Sequence, residues 1–120
     1  MSKAKAKGTA AETAVVKYLI AHGFSGAERR ALGGGGFGED LGDITGTPCL
    51  TWEVKNQKKY SLLAWLREAE KEKDNAGADF CPLIVKPVGV GIDNVKNWFF
   101  VMTVDEGVAL LQAAGFGDGI

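Results

Sequence analysis

The spacing of apolar residues changes several times along this chain, and this change restricts the fold more than any other feature of the sequence. Segments with helical spacing alternate with segments in which apolar side chains recur at every second position. Helices are predicted at residues 9–22, 61–76 and 103–115, and strands at residues 24–32, 41–45, 49–57, 80–86 and 98–102. The order α-β-β-β-α-β-β-α predicts an α/β domain with a central mixed sheet flanked by helices.

Turn and capping residues agree with these boundaries. Gly23 follows the first helix and can adopt the left-handed conformation that ends it. The Gly46-Thr47-Pro48 turn predicts that the second and third strands pair as a hairpin. Thr103 and Glu106 have the spacing of a capping box, which indicates where the last helix begins.

Length and composition are those of an ordinary globular protein. The sequence fits one domain over residues 1–120 with a basic arm at residues 1–8, and its 46% of hydrophobic residues argues against disorder. No apolar run approaches the ~20 residues of a membrane-spanning helix, and no secretory apolar segment follows the basic arm, so we expect a cytoplasmic protein. The glycine-rich run at residues 33–38 predicts a flexible turn. It lacks the Gly-Lys-Ser/Thr ending of a phosphate-binding loop, so no nucleotide cofactor is expected.

Charge is distributed unevenly along the sequence. Residues 1–60 carry nine basic and six acidic side chains, whereas residues 61–120 carry five basic and nine acidic ones. Three of the six acids belong to the candidate metal site described below, and a divalent cation would offset their charge. A basic face suited to a phosphate backbone is therefore expected on a chain whose formal net charge is −1.

The two cysteines predict no metal site. Cys49 and Cys81 form no C-x-x-C pair, and His22 is the single histidine, so a Cys/His zinc site is not expected. Both cysteines lie in apolar, strand-like runs, which predicts buried free thiols rather than a disulfide.

The predicted third strand contains a pattern that suits phosphodiester chemistry. Its alternation places Thr51, Glu53, Lys55 and Gln57 on one face, and Asp43 on the preceding strand can join that face. Two carboxylates can hold a hard divalent cation, which polarises phosphoryl oxygens and lowers the pKa of a bound water. A lysine beside them can orient that water or stabilise the charge developing on phosphorus. The same pattern also fits a strand that exposes Glu and Lys to solvent, and an E-x-K triplet occurs by chance in most proteins.

Glu12 lies among the apolar residues of the first helix. It precedes Val15, Val16, Leu19 and Ile20 by helical spacings, so a carboxylate is predicted on the apolar face. Burial of a carboxylate costs free energy unless it is paired. Two interpretations fit: Glu12 forms a capping box with Thr9, or it belongs to the metal site.

Several motifs together resemble a known nuclease superfamily. The motifs are Lys7-Gly-Thr-Ala-Ala-Glu12 at a helix start, Arg29-Arg30 before a glycine-rich turn, Gly42-Asp43-Ile44, and Glu53-Val-Lys55-Asn-Gln57 followed by a helix. This pattern is similar to the PD-(D/E)XK nucleases and, within them, to archaeal-type Holliday junction resolvases. The similarity extends roughly over residues 5–112. Gly42 departs from the motif, which has proline at that position.

The resemblance implies a restriction-endonuclease-like core and metal-dependent hydrolysis of DNA, most naturally of four-way junctions or other branched DNA. It implies Mg²⁺, with Mn²⁺ as a substitute, held by Glu12, Asp43, Glu53 and, as a further candidate, the Val54 carbonyl. Lys55 matches the catalytic lysine. Glu39 and Asp40 are alternative acids for the place of Asp43, which has the better spacing to Glu53.

The resemblance also implies contacts with DNA and a symmetric homodimer. The residues expected to contact DNA are Lys7, Thr9, Arg29, Arg30, Gln57, Lys58 and Lys59. Which of the two arginines contacts the scissile phosphate is open. Apolar surface on Trp98, Phe99, Phe100 or the helix at residues 61–76 is available for the dimer.

Three rival interpretations remain at the level of sequence. The first is an exonuclease, a repair nuclease or a restriction-like nuclease with the same catalytic centre and another DNA target. The second is a DNA-binding protein that keeps the fold without the chemistry. The third is an unrelated α/β protein in which the E-x-K triplet arises by chance.

Overall fold

Three helices and five short strands make up the described part of the chain, residues 2–30 and 41–119 of a computed structural model. The helices are α1 (Lys3–Ala21), α2 (Leu62–Ala76) and α3 (Val104–Ala113). The strands are β1 (Glu28–Arg29), β2 (Ile44–Thr45), β3 (Glu53–Lys55), β4 (Leu83–Val85) and β5 (Phe99–Val101). The predicted element order is confirmed, although the strands are shorter than predicted. The glycine-rich run and the acids Glu39 and Asp40 lie outside the described residues.

The strands form a small mixed sheet with one weak junction. β3 pairs in parallel with β4, and β4 pairs antiparallel with β5, while β1 pairs antiparallel with β2. One antiparallel bridge, Ile44–Trp52, connects the two groups, and the Asp43 N–H donates to the Trp52 carbonyl at 2.7 Å. We call this junction between β2 and β3 the seam.

The predicted hairpin and its long third strand are therefore present only in part. Cys49 has a left-handed φ of +66°, which interrupts the extended backbone that was predicted from residue 49 onward. Beyond that point the backbone turns to the β4 side: the Thr51 N–H donates to the Phe80 carbonyl and the Glu53 N–H to the Pro82 carbonyl. Only residues 53–55 form a regular strand.

Helices pack on both faces of this sheet, as predicted. On one face, Ala11, Val15 and Leu19 of α1 are buried against a cluster of residues from the sheet and its connections, which includes Trp52, Val54, Ile84 and Trp98. On the other face, Trp65 of α2 packs against Leu83 and Val85. The alternation along β4 thus supplies both halves of the core, because neighbouring side chains of a strand point to opposite faces.

The start of α1 differs from the prediction. The helix begins at Lys3, and the Ser2 hydroxyl caps it by accepting from the Lys5 N–H at 3.1 Å. The predicted basic arm is therefore helical from Lys3 onward, and Thr9 lies inside the helix. The capping-box interpretation of Thr9 and Glu12 is wrong, because the free N–H groups of a helix occur only in its first turn.

The first predicted strand is also mostly a turn. The helix ends as predicted, with Gly23 at a φ of +99°. The Phe24 N–H then donates back to the Leu19 carbonyl and the Ala27 N–H to the Phe24 carbonyl. These turn hydrogen bonds leave only Glu28–Arg29 to pair as a strand.

The last helix and the cysteines agree with the sequence more closely. The Thr103 hydroxyl accepts from the Glu106 N–H at 3.1 Å and so caps α3, as predicted. Both cysteines are free thiols, and Cys81 is buried. Cys49 is exposed, contrary to the prediction, because it lies in the left-handed turn rather than in a strand.

Apolar surface stays exposed around β5 and α3. Phe99 and Phe100 are about half exposed, whereas Trp98 is buried. Val104, Val108 and Leu111 lie on one side of α3 at spacings of four and three residues, and all three are exposed. Among the described residues, no helix has both the length and the apolar character needed to cross a membrane.

Candidate active site

Acidic and basic side chains from four parts of the chain line one cleft of about 570 Å³. The lining residues are Ala4, Lys7, Gly8, Glu12, Asp43, Glu53, Val54, Lys55, Asn56, Gln57, Lys58 and Glu68. The structure thus brings together the four residues expected to be catalytic, Glu12, Asp43, Glu53 and Lys55. Thr9, Arg29 and Lys59 do not line the cleft. Arg30 lines a separate depression beside Gly46, Thr47 and Asn75.

Asp43 is attached directly to the strand that carries the other two motif residues. Its Oδ2 accepts a hydrogen bond from the Val54 N–H at 2.8 Å, and its own N–H bonds the Trp52 carbonyl. These two bonds fix the Asp43 carboxylate against the backbone between Glu53 and Lys55. The Val54 backbone is therefore part of the site's framework.

Gly42 has a conformational reason to stand where the motif has proline. Its φ is +95°, whereas the proline ring fixes φ near −65°. A Cβ at this position would collide with the Thr51 hydroxyl and press on the Trp52 carbonyl. Thr51 is buried, and its hydroxyl is held in this position because it donates a hydrogen bond to the Leu41 carbonyl at 2.6 Å. Thr51 thus supports the turn before Asp43.

Glu53 is buried among other carboxyl groups. Its exposed fraction is 3%. Burial, followed by hydrogen bonding and charge repulsion with Asp43 and Glu72, raises the pKa of Glu53 far above its ordinary value. The Lys55 ammonium lies 3.9 Å from Glu53 Oε2 and does not outweigh these effects. At neutral pH the cation-free site therefore retains a proton on this group of carboxyls.

Lys55 extends from β3 towards α2. Its Nζ lies 2.9 Å from Glu68 Oε1 and 5.9 Å from the centroid of the Trp65 ring. Burial favours a lower pKa for Lys55, but the nearby charges of Glu53 and Glu68 outweigh it and raise the pKa above its usual value. The lysine is therefore a stable cation at the side of the cleft.

Glu12 lines the cleft from α1 and forms an ion pair with Arg29. The Arg29 Nε donates to Glu12 Oε1 at 3.1 Å. Burial and the Asp43 charge raise the pKa of Glu12, and Arg29 and Lys55 only partly oppose this rise. Arg29 is therefore ion-paired with a residue that lines the cleft, whereas Arg30 contributes its backbone N–H to the Asp43 carbonyl at 2.9 Å.

The sequence prediction missed two glutamates of α2. Glu68 lines the cleft, and Glu72 is 1% exposed. The helical spacing of Leu62, Leu63, Leu66 and Ala69 predicts instead that both glutamates face solvent. One carboxylate oxygen from each of Glu53, Glu68 and Glu72 lies within 4.8 Å of the others. The signal was available in the helical spacing of Trp65, Glu68, Ala69 and Glu72, which share one face of α2.

The arrangement of donors suits a hard divalent cation. Glu53 is hydrogen-bonded to two other carboxyls, and buried carboxylates that crowd together repel one another unless a proton or a cation separates them. Carboxylate and carbonyl oxygens are the ligands that Mg²⁺ and Mn²⁺ prefer. Among the described residues, the carboxylates close enough to share one ion are those of Glu53, Glu68 and Glu72, and the expected ligands Glu12 and Asp43 lie in the same cleft.

Comparisons with protein-family models, with curated proteins and with solved structures found no match to this chain.

Proposed function

We propose that this protein is a Mg²⁺- or Mn²⁺-dependent endonuclease that hydrolyses phosphodiester bonds in four-way junctions or other branched DNA. One observation carries the proposal: Glu12, Asp43, Glu53 and Lys55 come from separate parts of the chain and meet in one open cleft. If the E-x-K triplet were a chance feature of a solvent-facing strand, we would not expect Glu53 to be buried. Nor would we expect Asp43 to accept a hydrogen bond from the Val54 backbone. The order of helices and strands is also the one predicted from the sequence.

The chain supplies the groups that this reaction requires. A divalent cation supplies Lewis-acid activation of the phosphoryl group and of water when it is bound. Glu12, Asp43 and Glu53 provide its oxygen donors. The Lys55 ammonium then stabilises negative charge on the phosphoryl oxygens or orients the attacking water. The Val54 N–H keeps Asp43 in place throughout, because that bond is to the backbone.

Basic and polar side chains at the rim suit the phosphates on either side of the reacting bond. Lys7 and Lys58 line the cleft with Gln57. Arg29 has a side chain that is 38% exposed while it bonds Glu12, so it retains donors for a phosphate. We therefore favour Arg29 over Arg30 for the contact at the scissile phosphate.

A cleavage assay tests this proposal. A labelled four-way junction and a linear duplex of matched sequence are incubated with Mg²⁺ or Mn²⁺ and the wild type, Glu53→Gln or Lys55→Ala. Paired nicks in the junction alone, lost in both variants while binding persists, support the proposal. Glu70→Gln, an exposed change on the same helix as Glu68, should cut like the wild type.

Other results favour the rival interpretations. Equal cleavage of the linear duplex would favour a nuclease with another DNA target. Junction binding without product from any of the proteins would favour a DNA-binding domain without catalysis. A protein that neither binds nor cleaves these DNA substrates would refute a role on DNA.

We also propose that the protein acts as a homodimer, because two strands of a symmetric junction need two active sites. Exposed apolar side chains on β5 and α3, among them Phe99, Val104, Val108 and Leu111, are available for contact with a second copy. Trp98 is buried and does not contribute surface. Sedimentation velocity over a range of protein concentrations measures the association, and a strictly monomeric protein on the junction would contradict it.

A further inference from the structure

We infer that Glu68 is a positioning residue that holds the Lys55 ammonium in the orientation needed for cleavage. This inference rests on the proposed nuclease function and adds a residue of α2 to it. The motif residues alone do not fix the lysine, because Glu53 Oε2 lies 3.9 Å from its Nζ while Glu68 Oε1 lies at 2.9 Å. The nearer and better hydrogen-bonding partner is thus on the helix.

The surroundings of Lys55 restrict the positions that its ammonium group can occupy. Its side chain is 18% exposed, and the Nζ lies over the Trp65 ring at 5.9 Å from the centroid. Trp65 and Glu68 are three residues apart on α2 and so occupy neighbouring places on one helix face. Trp65 is itself buried, which anchors that face against the sheet. The helix thus supplies both an aromatic surface and a carboxylate to a single lysine.

The position of Glu68 is unfavourable for binding an anionic substrate. Its side chain is 39% exposed and lines the cleft in which phosphates are proposed to lie. A carboxylate there repels the DNA backbone. A lysine side chain also has much rotational freedom to lose before its ammonium is fixed. A residue that weakens substrate binding while ordering the catalytic lysine is expected to raise the cleavage rate at some cost in affinity.

This opposition gives a test in which the two effects have opposite signs. Single-turnover cleavage of the four-way junction is measured with Mg²⁺, and junction affinity is measured without a divalent cation. We expect Glu68→Gln to slow cleavage by about 10- to 100-fold, since small displacements of a catalytic group have effects of that order. Its affinity for the junction should be equal or tighter. Glu68→Asp, which retains the charge, should recover part of the rate.

Glu70→Gln is the matched control, because it removes the same charge from an exposed position of the same helix. It should leave the cleavage rate unchanged. If both glutamine variants changed rate and affinity alike, the effect would be one of overall charge and the positioning role would be refuted. A Glu68→Gln variant that cuts as fast as the wild type would also refute it.

A second readout does not depend on cleavage. In the cation-free protein, the ¹H–¹⁵N signal of the Lys55 ammonium should be visible because its ion pair slows hydrogen exchange, and it should be lost in Glu68→Gln. An unchanged signal in that variant would refute the pairing in solution. If the wild type cuts no DNA, the proposed function fails and the inference fails with it. A cutting wild type with an equally active Glu68→Gln variant refutes the inference alone.

Discussion

Replacement of Glu53 by glutamine is expected to stabilise the cation-free protein while abolishing cleavage. Glu53 is 3% exposed, and its pKa is raised by burial and by the adjacent carboxyls of Asp43 and Glu72. The folded protein therefore keeps a proton that the unfolded chain releases near the ordinary glutamate pKa. The contribution of this proton to the unfolding free energy is then fully present below the ordinary glutamate pKa, and it is lost as the pH rises above that value. Glutamine has nearly the same shape and cannot ionise, so this loss should disappear.

The size of the effect follows from proton linkage. When only the folded state holds a proton, the unfolding free energy falls by about 1.4 kcal/mol for each unit by which the pH rises. Between about pH 5.5 and 7.5 the wild type should therefore lose up to about 3 kcal/mol. For a domain of this size, that corresponds to a fall in Tm of roughly 10 °C. Glu53→Gln should show a nearly flat Tm and be the more stable protein at the upper pH.

Thermal unfolding in the presence of a chelator measures this difference. A second series with Mn²⁺ should raise the Tm of the wild type at the upper pH, because a ligand that binds only the folded state stabilises it. It should leave Glu53→Gln unchanged. Glu70→Gln serves as the control and should keep the wild-type pH dependence. A wild-type Tm that is flat or rises with pH, or a variant with the wild-type slope, would refute the account of Glu53.

Three further predictions follow from other parts of the structure. Gly42→Ala should lower the unfolding free energy by about 2–4 kcal/mol, measured by chemical denaturation, because it adds a Cβ at a φ of +95° and against the Thr51 hydroxyl; a neutral effect would contradict the described turn. Arg29→Gln should slow junction cleavage more than Arg30→Gln does, because only Arg29 contacts a cleft residue through its side chain; the reverse order would assign the scissile phosphate to Arg30. Leu111→Glu should shift the protein towards monomer in sedimentation velocity while circular dichroism shows that the chain stays folded, since its side chain is 53% exposed; an unchanged dimer would place the interface elsewhere.

The central part of the site was predictable from local rules. Glu53 and Lys55 are two residues apart on a strand, so period-two alternation places them on one face. The turn at Gly46 to Pro48 brings β2 back beside β3, and Asp43 with it. These relations depend only on short sequence distances. The element order was predictable for the same reason, because each helix and strand has its own periodicity.

The contribution of α2 was not predicted, because the buried face of this helix was only partly identified. Its apolar side was predicted from Leu62, Leu63, Leu66 and Ala69. Ala69 is buried as predicted, but Leu62 and Leu63 are exposed, and the buried face includes Glu72. A glutamate counts as polar in any periodicity analysis. The burial of Glu72 depends on Glu53, which is distant in sequence and lies beside Glu72 only after β3 and α2 come together in the fold. The start of α1 was misplaced similarly, since Ser2 caps a first turn that is exposed and has no apolar pattern.

The seam between β2 and β3 determines where cation binding would stabilise the protein against local opening. Asp43 lies on one side of this junction and Glu53 on the other, and the Ile44–Trp52 bridge with the two backbone bonds of Asp43 holds them together. An ion shared by these carboxylates would act as a cross-link between two halves of the sheet. Local opening would then require loss of the ion. Hydrogen exchange at the Asp43 and Val54 amides should therefore slow markedly with Mn²⁺, while exchange within the β4–β5 pair changes little.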